Sequence, residues 1–304
     1  MPFQMNKVLL TGANGFLGRE IIKTLEDKLE FTTLSRNSGD YQVCLDKETP
    51  NFKDNFNLVI HAAGKAHSIA KTENQKQEFF EINVIGTQNL LLGLERSNVP
   101  DFFVFISSVS VYGEDFGYNI DEEHILGAKD PYGLSKIEAE KIIMRWCAKN
   151  NVICTILRLP LLVGQSPPGN LGAMIRAIEK GYYFNIGGGK ARKSMVLAKD
   201  VASFIQQVVP VGGIFNLSDG FNPNFNELSL AISQNRKKRK PLNLPNTMAI
   251  FMGKLGDLLG PNAPINSLKV KKINSDLTFS DNKARRLLNW TPQSVIDYIN
   301  KNRI

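Results

Sequence analysis

The chain opens on a short apolar run, residues 7–11, that gives way at once to glycines, and this rhythm recurs through the first half. Further apolar runs at 31–35, 58–61, 102–107 and 152–159 are continuous instead of alternating, which predicts strands covered on both faces. Between them, apolar positions recur at helical spacing over 15–28, 75–96 and 132–149. Strands alternating with helices predict an α/β fold, a doubly wound parallel sheet with crossover helices on both sides. After Pro160 glycine and proline cluster over 164–172 and 187–189, and the helical patterns shorten. Residues 1–163, with 194–217 returning to the sheet, are expected to form the main domain. Residues 164–193 and 218–304 form a smaller C-terminal lobe.

Composition narrows the class. With 304 residues, 42% apolar and 22% charged, the chain can bury a full core without a disulfide or metal staple. It has no repeat or low-complexity tract, which excludes fibrous and disordered classes. Cys44, Cys147 and Cys154 are odd in number and scattered, and His61, His67 and His124 lack ligand spacing. That argues for free thiols in a reducing compartment and against a metal hydrolase. The longest apolar stretch, 248–259, is interrupted by Gly253, Lys254, Gly256 and Asp257 and falls short of the roughly 20 residues of a membrane span. No leader pattern precedes the first strand, so a soluble, cytoplasmic protein is expected. The balance of 37 basic to 29 acidic residues, a net +8, favours an anionic partner. The basic run 236–240 has no interleaved aromatics, so it reads as a solvated loop and no nucleic-acid partner is expected.

Chemistry enters at Gly12-Ala13-Asn14-Gly15-Phe16-Leu17-Gly18, directly after the first strand and opening the first helix. Gly12 allows a sharp turn, Gly15 clears the helix N-terminus for a pyrophosphate, and Gly18 lets helix and strand pack closely. The second strand ends Ser35-Arg36 with no acid for a ribose diol, so a 2′-phosphate and hence NADP are favoured, with NAD possible. Asp46, closing the next short run, is a candidate acceptor for the adenine amino group.

Tyr132 and Lys136 stand four residues apart, on one face of the helix predicted there. A phenol titrates near 10, and a neighbouring ammonium would favour the phenolate and let it move a proton at neutral pH. Ser108 and Ser110 lie just beyond a buried strand, at the carboxyl edge where sheet ligands bind.

Taken with these motifs, His61-Ala62-Ala63-Gly64, Asn83-Val84-Ile85-Gly86-Thr87, Arg158-Leu159-Pro160 and the closing Leu288-Asn289-Trp290-Thr291-Pro292 make the chain resemble the extended short-chain dehydrogenase/reductase family. The likeness is to its nucleotide-sugar epimerase, dehydratase and reductase branch and spans nearly the whole chain. It implies a Rossmann-type domain binding a nicotinamide dinucleotide. Contacts would come from the glycine turn with Phe16 and Leu17, from Arg36 and Asp46, from Ala62, Ala63, Gly64, Asn83 and Pro160, and from Tyr132 and Lys136. It further implies catalysis by Ser108, Tyr132 and Lys136, with Ser108, Ser110, Asn170, Arg192 and Lys193 on a nucleoside-diphosphate sugar. The helices over 83–96 and 132–149 often pair family members into homodimers. Ile137, Ile142, Ile143, Trp146 and Cys147 could serve such a partner or the core.

Dehydratases of this branch carry adjacent Asp-Glu where this chain has Val109 and Ser110, so dehydration is not expected. Two readings remain: reduction of a UDP-4-keto-6-deoxy-hexosamine and 4-epimerisation with retained NAD. Length, Arg36 and the His61–His67 stretch lean toward the reductase. A non-catalytic sensor or scaffold is disfavoured because both Tyr132 and Lys136 are kept.

Overall fold

Val8, Leu9 and Leu10 are fully buried in the computed structural model, which describes residues 6–66, 70–258, 266–302 and 304. His67 and Leu259 lie outside the described residues. In chain order the first half holds β1 (Lys7–Thr11), α1 (Phe16–Leu25), β2 (Glu30–Ser35), β3 (Tyr41–Gln42), β4 (Leu58–His61), α2 (Glu73–Phe80), α3 (Gly86–Arg96), β5 (Phe102–Ser108), β6 (Gly117–Ile120) and α4 (Pro131–Asn150). The second half holds β7 (Ile153–Leu159), β8 (Leu161–Val163), α5 (Gly169–Glu179), β9 (Phe184–Ile186), β10 (Met195–Leu197), α6 (Ala198–Val208), β11 (Gly213–Asn216) and α7 (Phe225–Asn235). It closes with β12 (Leu242–Leu244), α8 (Asn246–Leu258), α9 (Ser267–Asn274), β13 (Leu277–Phe279), α10 (Asn282–Leu288) and α11 (Val295–Lys301).

Seven parallel strands form the central sheet in the order β11-β7-β5-β4-β1-β2-β3. Successive residues of each strand serve opposite faces. Val8, Leu10, Ile60 and Val104 pack under α1 and α6, whereas Leu9, Val59, Phe103 and Phe105 pack under α3 and α4. This is the doubly wound α/β fold expected from continuous apolar runs. The order reverses beside β1, so a crevice opens between β1 and β4 at their carboxyl ends. Among the described residues no helix is long and apolar enough to cross a membrane.

Two elements differ from expectation. The helix predicted over 75–96 begins at Glu73, where Thr72 Oγ1 accepts from the Gln75 amide at 3.2 Å, and it is not continuous. A π-turn at Glu81–Ile85 separates α2 from α3. The return of 194–217 to the sheet is also only partial. Met195–Leu197 pairs with β8 in a sheet of two strands, and β11 alone of this segment joins the main sheet. The cause is visible in the side chains. Val196 and α6 face the main core, while Met195 and Leu197 belong to a second core with Val163, Ile175, Leu228, Ile232 and Ile299.

Ile143, Trp146 and Cys147 fill the core under β5 and β7, with Ile142 packed against them, and Ile137 joins a smaller cluster with Tyr112 and Phe279. These five serve the fold. The apolar residues that α2 to α4 expose are Phe80, Ile85, Leu92 and Leu134 instead.

Candidate active site

The glycine turn is shaped by close backbone approach. Gly12 has φ +75°, and a Cβ there would stand 2.6 Å from the Ala63 amide nitrogen. On Gly18 a Cβ would meet the Gly12 carbonyl oxygen at 2.2 Å. Gly15 caps α1 with no side chain, which leaves the first helical amides open at the crevice. A pyrophosphate fits such a cradle. The side chain of Leu17 is buried in the core, and that of Phe16 packs against that core and against Gly164, so these two residues offer the cradle their amides and not their side chains.

At the end of β2 the polar groups already have partners. Arg36 Nη2 donates to Asp46 Oδ1 at 3.0 Å, its side chain being 55% exposed and that of Asp46 15%. Ser35 Oγ accepts from Asn14 Nδ2 at 3.1 Å and donates to the Ser38 carbonyl. Burial raises the Asp46 carboxyl, but the Cys44 thiol, the residue's own backbone amide and then Arg36 outweigh it and hold the group below its ordinary range. Asp46 is therefore bound to the guanidinium expected to grip a phosphate.

Beyond β4 the loop Ala62-Ala63-Gly64 is fixed from both sides. Thr11 Oγ1 accepts from the Ala63 amide at 3.1 Å and donates to His61 Nδ1 at 2.7 Å. His61 Nε2 reaches Thr87 Oγ1 at 3.0 Å, and full burial, reinforced by the Lys136 charge, pulls this imidazole down to about 3. It is a neutral strut. From the π-turn, Asn83 Nδ2 donates to the Lys65 carbonyl and to Ser135 Oγ, and its Oδ1 accepts from the Lys65 amide at 2.7 Å. Asn83 thus ties this loop to α4.

Ser108 ends β5 opposite Leu159 and starts a 3-10 turn, Val109–Tyr112, by accepting from the Ser110 amide at 3.1 Å. Its hydroxyl also donates to Ser110 Oγ and lies beside the phenol of Tyr132, which sits in the first turn of α4. Asp130 caps that helix by accepting from the Gly133 amide, and Pro131 occupies its first position. Burial pushes the Tyr132 phenol above 10, the Ser108 hydroxyl opposes this, and Asp130 adds to it. The lowering expected from a neighbouring ammonium is not what the protein supplies. Lys136 Nζ instead donates to the Ile106 carbonyl at 2.7 Å and lies 4.2 Å from the Phe105 ring centroid. Burial brings this ammonium down to about 8, with the Glu140 carboxylate working against it. Pro160 follows β7 at the same edge, half-buried.

Sequence reasoning missed the layer beneath. Glu140, one turn after Lys136, forms a buried pair with Arg158 (Nη2–Oε2 2.8 Å, Nε–Oε1 3.2 Å) and accepts from Ser107 Oγ at 2.5 Å. Arg158 Nη1 also donates to Tyr112 Oη, which donates to Asn216 Oδ1 at 2.8 Å. Arg158, part of the motif that ends β7, points into this network. The signal was available: an arginine inside a run apolar on both faces needs a buried acid.

The second-lobe residues stand apart from that edge. Asn170 lies exposed in the first turn of α5. Arg192 Nη1 donates to the Asn222 carbonyl at 3.0 Å and Nη2 lies 3.7 Å from Glu227, while Lys193 Nζ donates to the Lys272 carbonyl at 3.2 Å. Burial lowers the Lys193 ammonium, partly offset by Asp276 and Asp115. No contact joins these three to Ser108 or Tyr132.

Residues 8–217 match the family model described as NAD dependent epimerase/dehydratase family. The chain is 27% identical over 302 aligned positions to N-acetyl-alpha-D-glucosaminyl-diphospho-ditrans,octacis-undecaprenol 4-epimerase of Escherichia coli O157:H7, covering 92% of this chain and 88% of that protein. It is 27% identical over 313 positions to UDP-glucose 4-epimerase of Vibrio cholerae, covering 95% and 92%. In fold it is similar to the crystal structure of UDP-N-acetylglucosamine 4-epimerase from Bacillus cereus, with TM-score 0.74, 21% identity and 97% of each chain covered.

Proposed function

This chain belongs to the NAD dependent epimerase/dehydratase family, and on that premise we propose that it is a 4-epimerase of a sugar carried on a diphosphate, working with retained NAD. The observation that carries epimerisation over ketoreduction is the Arg36–Asp46 pair at 3.0 Å. A guanidinium already engaged by a carboxylate is a poor clamp for a 2′-phosphate, and the acid repels one. NAD, kept through the cycle, suits an enzyme with no net redox change. The Escherichia coli and Vibrio cholerae relatives, each aligned over about nine-tenths or more of this chain, both bear the name of a 4-epimerase.

In this reading the glycine turn and the open amides of α1 hold the pyrophosphate of the dinucleotide. The nicotinamide supplies, when bound, a reversible acceptor for the C4 hydride. Tyr132 takes the proton of the C4 hydroxyl and later returns it. Ser108, beside that phenol, orients the C4 oxygen. Lys136 contributes a positive charge on the floor of the site, and a bound oxidised nicotinamide would add a second that favours the phenolate of Tyr132. Arg192, Lys193 and Asn170 are the second-lobe candidates for the substrate diphosphate, the two cations having first to leave the Asn222 and Lys272 carbonyls, and Ser110 completes the hydroxyl set beside C4. The carrier beyond the diphosphate is a nucleoside, as in the Vibrio cholerae relative, or a polyprenol, as in the Escherichia coli one.

The test is to denature the purified protein, identify the dinucleotide released, and incubate the native protein with UDP-N-acetylglucosamine and UDP-glucose while following the C4 epimers. Released NAD and a mixture of epimers without added coenzyme is the expected result. Consumption of added NADPH on a 4-keto sugar, with no NAD released, would overturn it in favour of the reductase.

A further inference from the structure

Helix α8 is built inside out. Its buried positions are Ala249, Gly253 and Gly256, and a Cβ on Gly253 would already come within 3.2 Å of Ser267 at the start of α9. The large apolar residues face the other way. Met248, Phe251, Met252, Leu255 and Leu258 recur at i, i+3, i+4, i+7 and i+10, which is one face of a helix, and are between 42% and 84% exposed. Leu268 of α9 and the cross-strand pair Leu242–Phe184 are also exposed. A helix serving the core of its own chain buries its large side chains and shows its small ones.

Charge is concentrated in the same segment. Residues 236–272 contain nine basic residues and one acidic, Asp257. Taking these from the chain's 37 and 29 leaves 28 of each sign, so the whole net charge of +8 resides here. Lys237, Lys238, Arg239, Lys240 and Lys254 are exposed, and none is in an ion pair among the described residues.

We propose that α8, with the basic run before it and the lysines of α9, docks this protein on an anionic lipid bilayer. The helix has 13 residues, too short to span a bilayer and suited to lie in the headgroup plane with its apolar face in the acyl boundary. Phosphate headgroups match the surrounding lysines and arginines. The same surface borders the second lobe's cations, since the Lys272 carbonyl of α9 accepts from Lys193. Resting on the reading given above, this sets the diphospho-sugar site beside the lipid, within reach of a polyprenol-borne substrate as well as a soluble nucleotide sugar.

The experiment is co-sedimentation of the full chain with phosphatidylglycerol vesicles and with phosphatidylcholine vesicles, across a salt series. Binding to phosphatidylglycerol that weakens with salt is expected, with little on phosphatidylcholine. Two surface variants, F251D/L255D and K237S/K238S/R239S/K240S, are each expected to weaken binding by about tenfold or more while their thermal melts and turnover of a soluble UDP-sugar stay at wild-type level. Absence of vesicle binding, or equal binding by both variants, overturns the proposal. So does light scattering that shows a dimer which F251D/L255D dissociates, because a second copy then covers the face. Retention of single-stranded RNA that prevents vesicle binding overturns it likewise. Vesicle binding by a wild-type protein that turns over no sugar would refute the catalytic reading and leave the docking surface standing.

Discussion

Replacing Glu140 by Gln tests whether the layer under the site holds it in place. Glu140 and Arg158 side chains are 0% and 3% exposed, so the change leaves a guanidinium buried with no counter-charge. Removing one partner of a buried pair costs about 3–5 kcal/mol. At the low end of 2–4 °C per kcal/mol for a chain of this size, Tm should fall by roughly 6–10 °C. Arg158→Met should cost a similar amount, and the double variant much less than the sum, a coupling of about 2 kcal/mol or more. A second readout comes from Lys136, about 8 in the native protein because burial outweighs the Glu140 carboxylate. The ammonium is present below its pKa and lost above it. Without the carboxylate that pKa drops further, so the alkaline fall in kcat/KM should begin at lower pH in Glu140→Gln. Thermal melts of the four proteins and pH–rate profiles of wild type and Glu140→Gln make the assay. Additivity within about 0.5 kcal/mol, or an unmoved alkaline limb, would refute the coupling.

Tyr132→Phe should lower turnover by roughly 10²–10⁴ and leave dinucleotide binding unchanged, and titration plus steady-state kinetics would show whether proton transfer rests on that phenol. Asp46→Asn should release Arg36 and improve NADPH affinity over NADH by roughly tenfold, a gain that Arg36→Ala added to it removes; fluorescence titration of both reduced coenzymes decides. His61, about 3 when folded against 6.5 unfolded, binds its proton only in the unfolded chain as pH falls below about 6.5. Its contribution to stability is therefore complete above that pH and declines below it by about 1.4 kcal/mol per unit. In urea melts between pH 6.5 and 5, His61→Asn should give the flatter curve.

The sheet was legible because central parallel strands are apolar on both faces, as 8–10, 58–60 and 102–106 are, although 31–35 carries two threonines and buries only Leu34. Ser108, Tyr132 and Lys136 were legible because a strand end and a helical spacing of four fix their order in space. The structure sets Ser108 beside the Tyr132 phenol but turns Lys136 toward the Ile106 carbonyl, a choice made by burial that no spacing encodes. Arg36 read as a free cation since its partner lies ten residues on, across β3, and ion pairs across a loop leave no periodic trace. The segment 194–217 misled for a related reason: alternate residues of one strand feed two cores.

The π-turn at Glu81–Ile85 gives the stretch between Thr72 and Arg96 a length that cannot be edited freely. Such a turn is an α-helix carrying one residue more than its hydrogen-bond ladder needs. Deleting a residue there would heal the ladder, and by helix propensity alone the shortened segment should gain stability. Each residue removed, however, rotates one side of the helix relative to the other by about 100°. Either Leu90, Leu91 and Leu94 leave the core or Asn83 swings off Lys65 and Ser135. A more regular helix would thus come at the expense of the loop it anchors, and chimaeras cut within this span must carry the surplus residue with them.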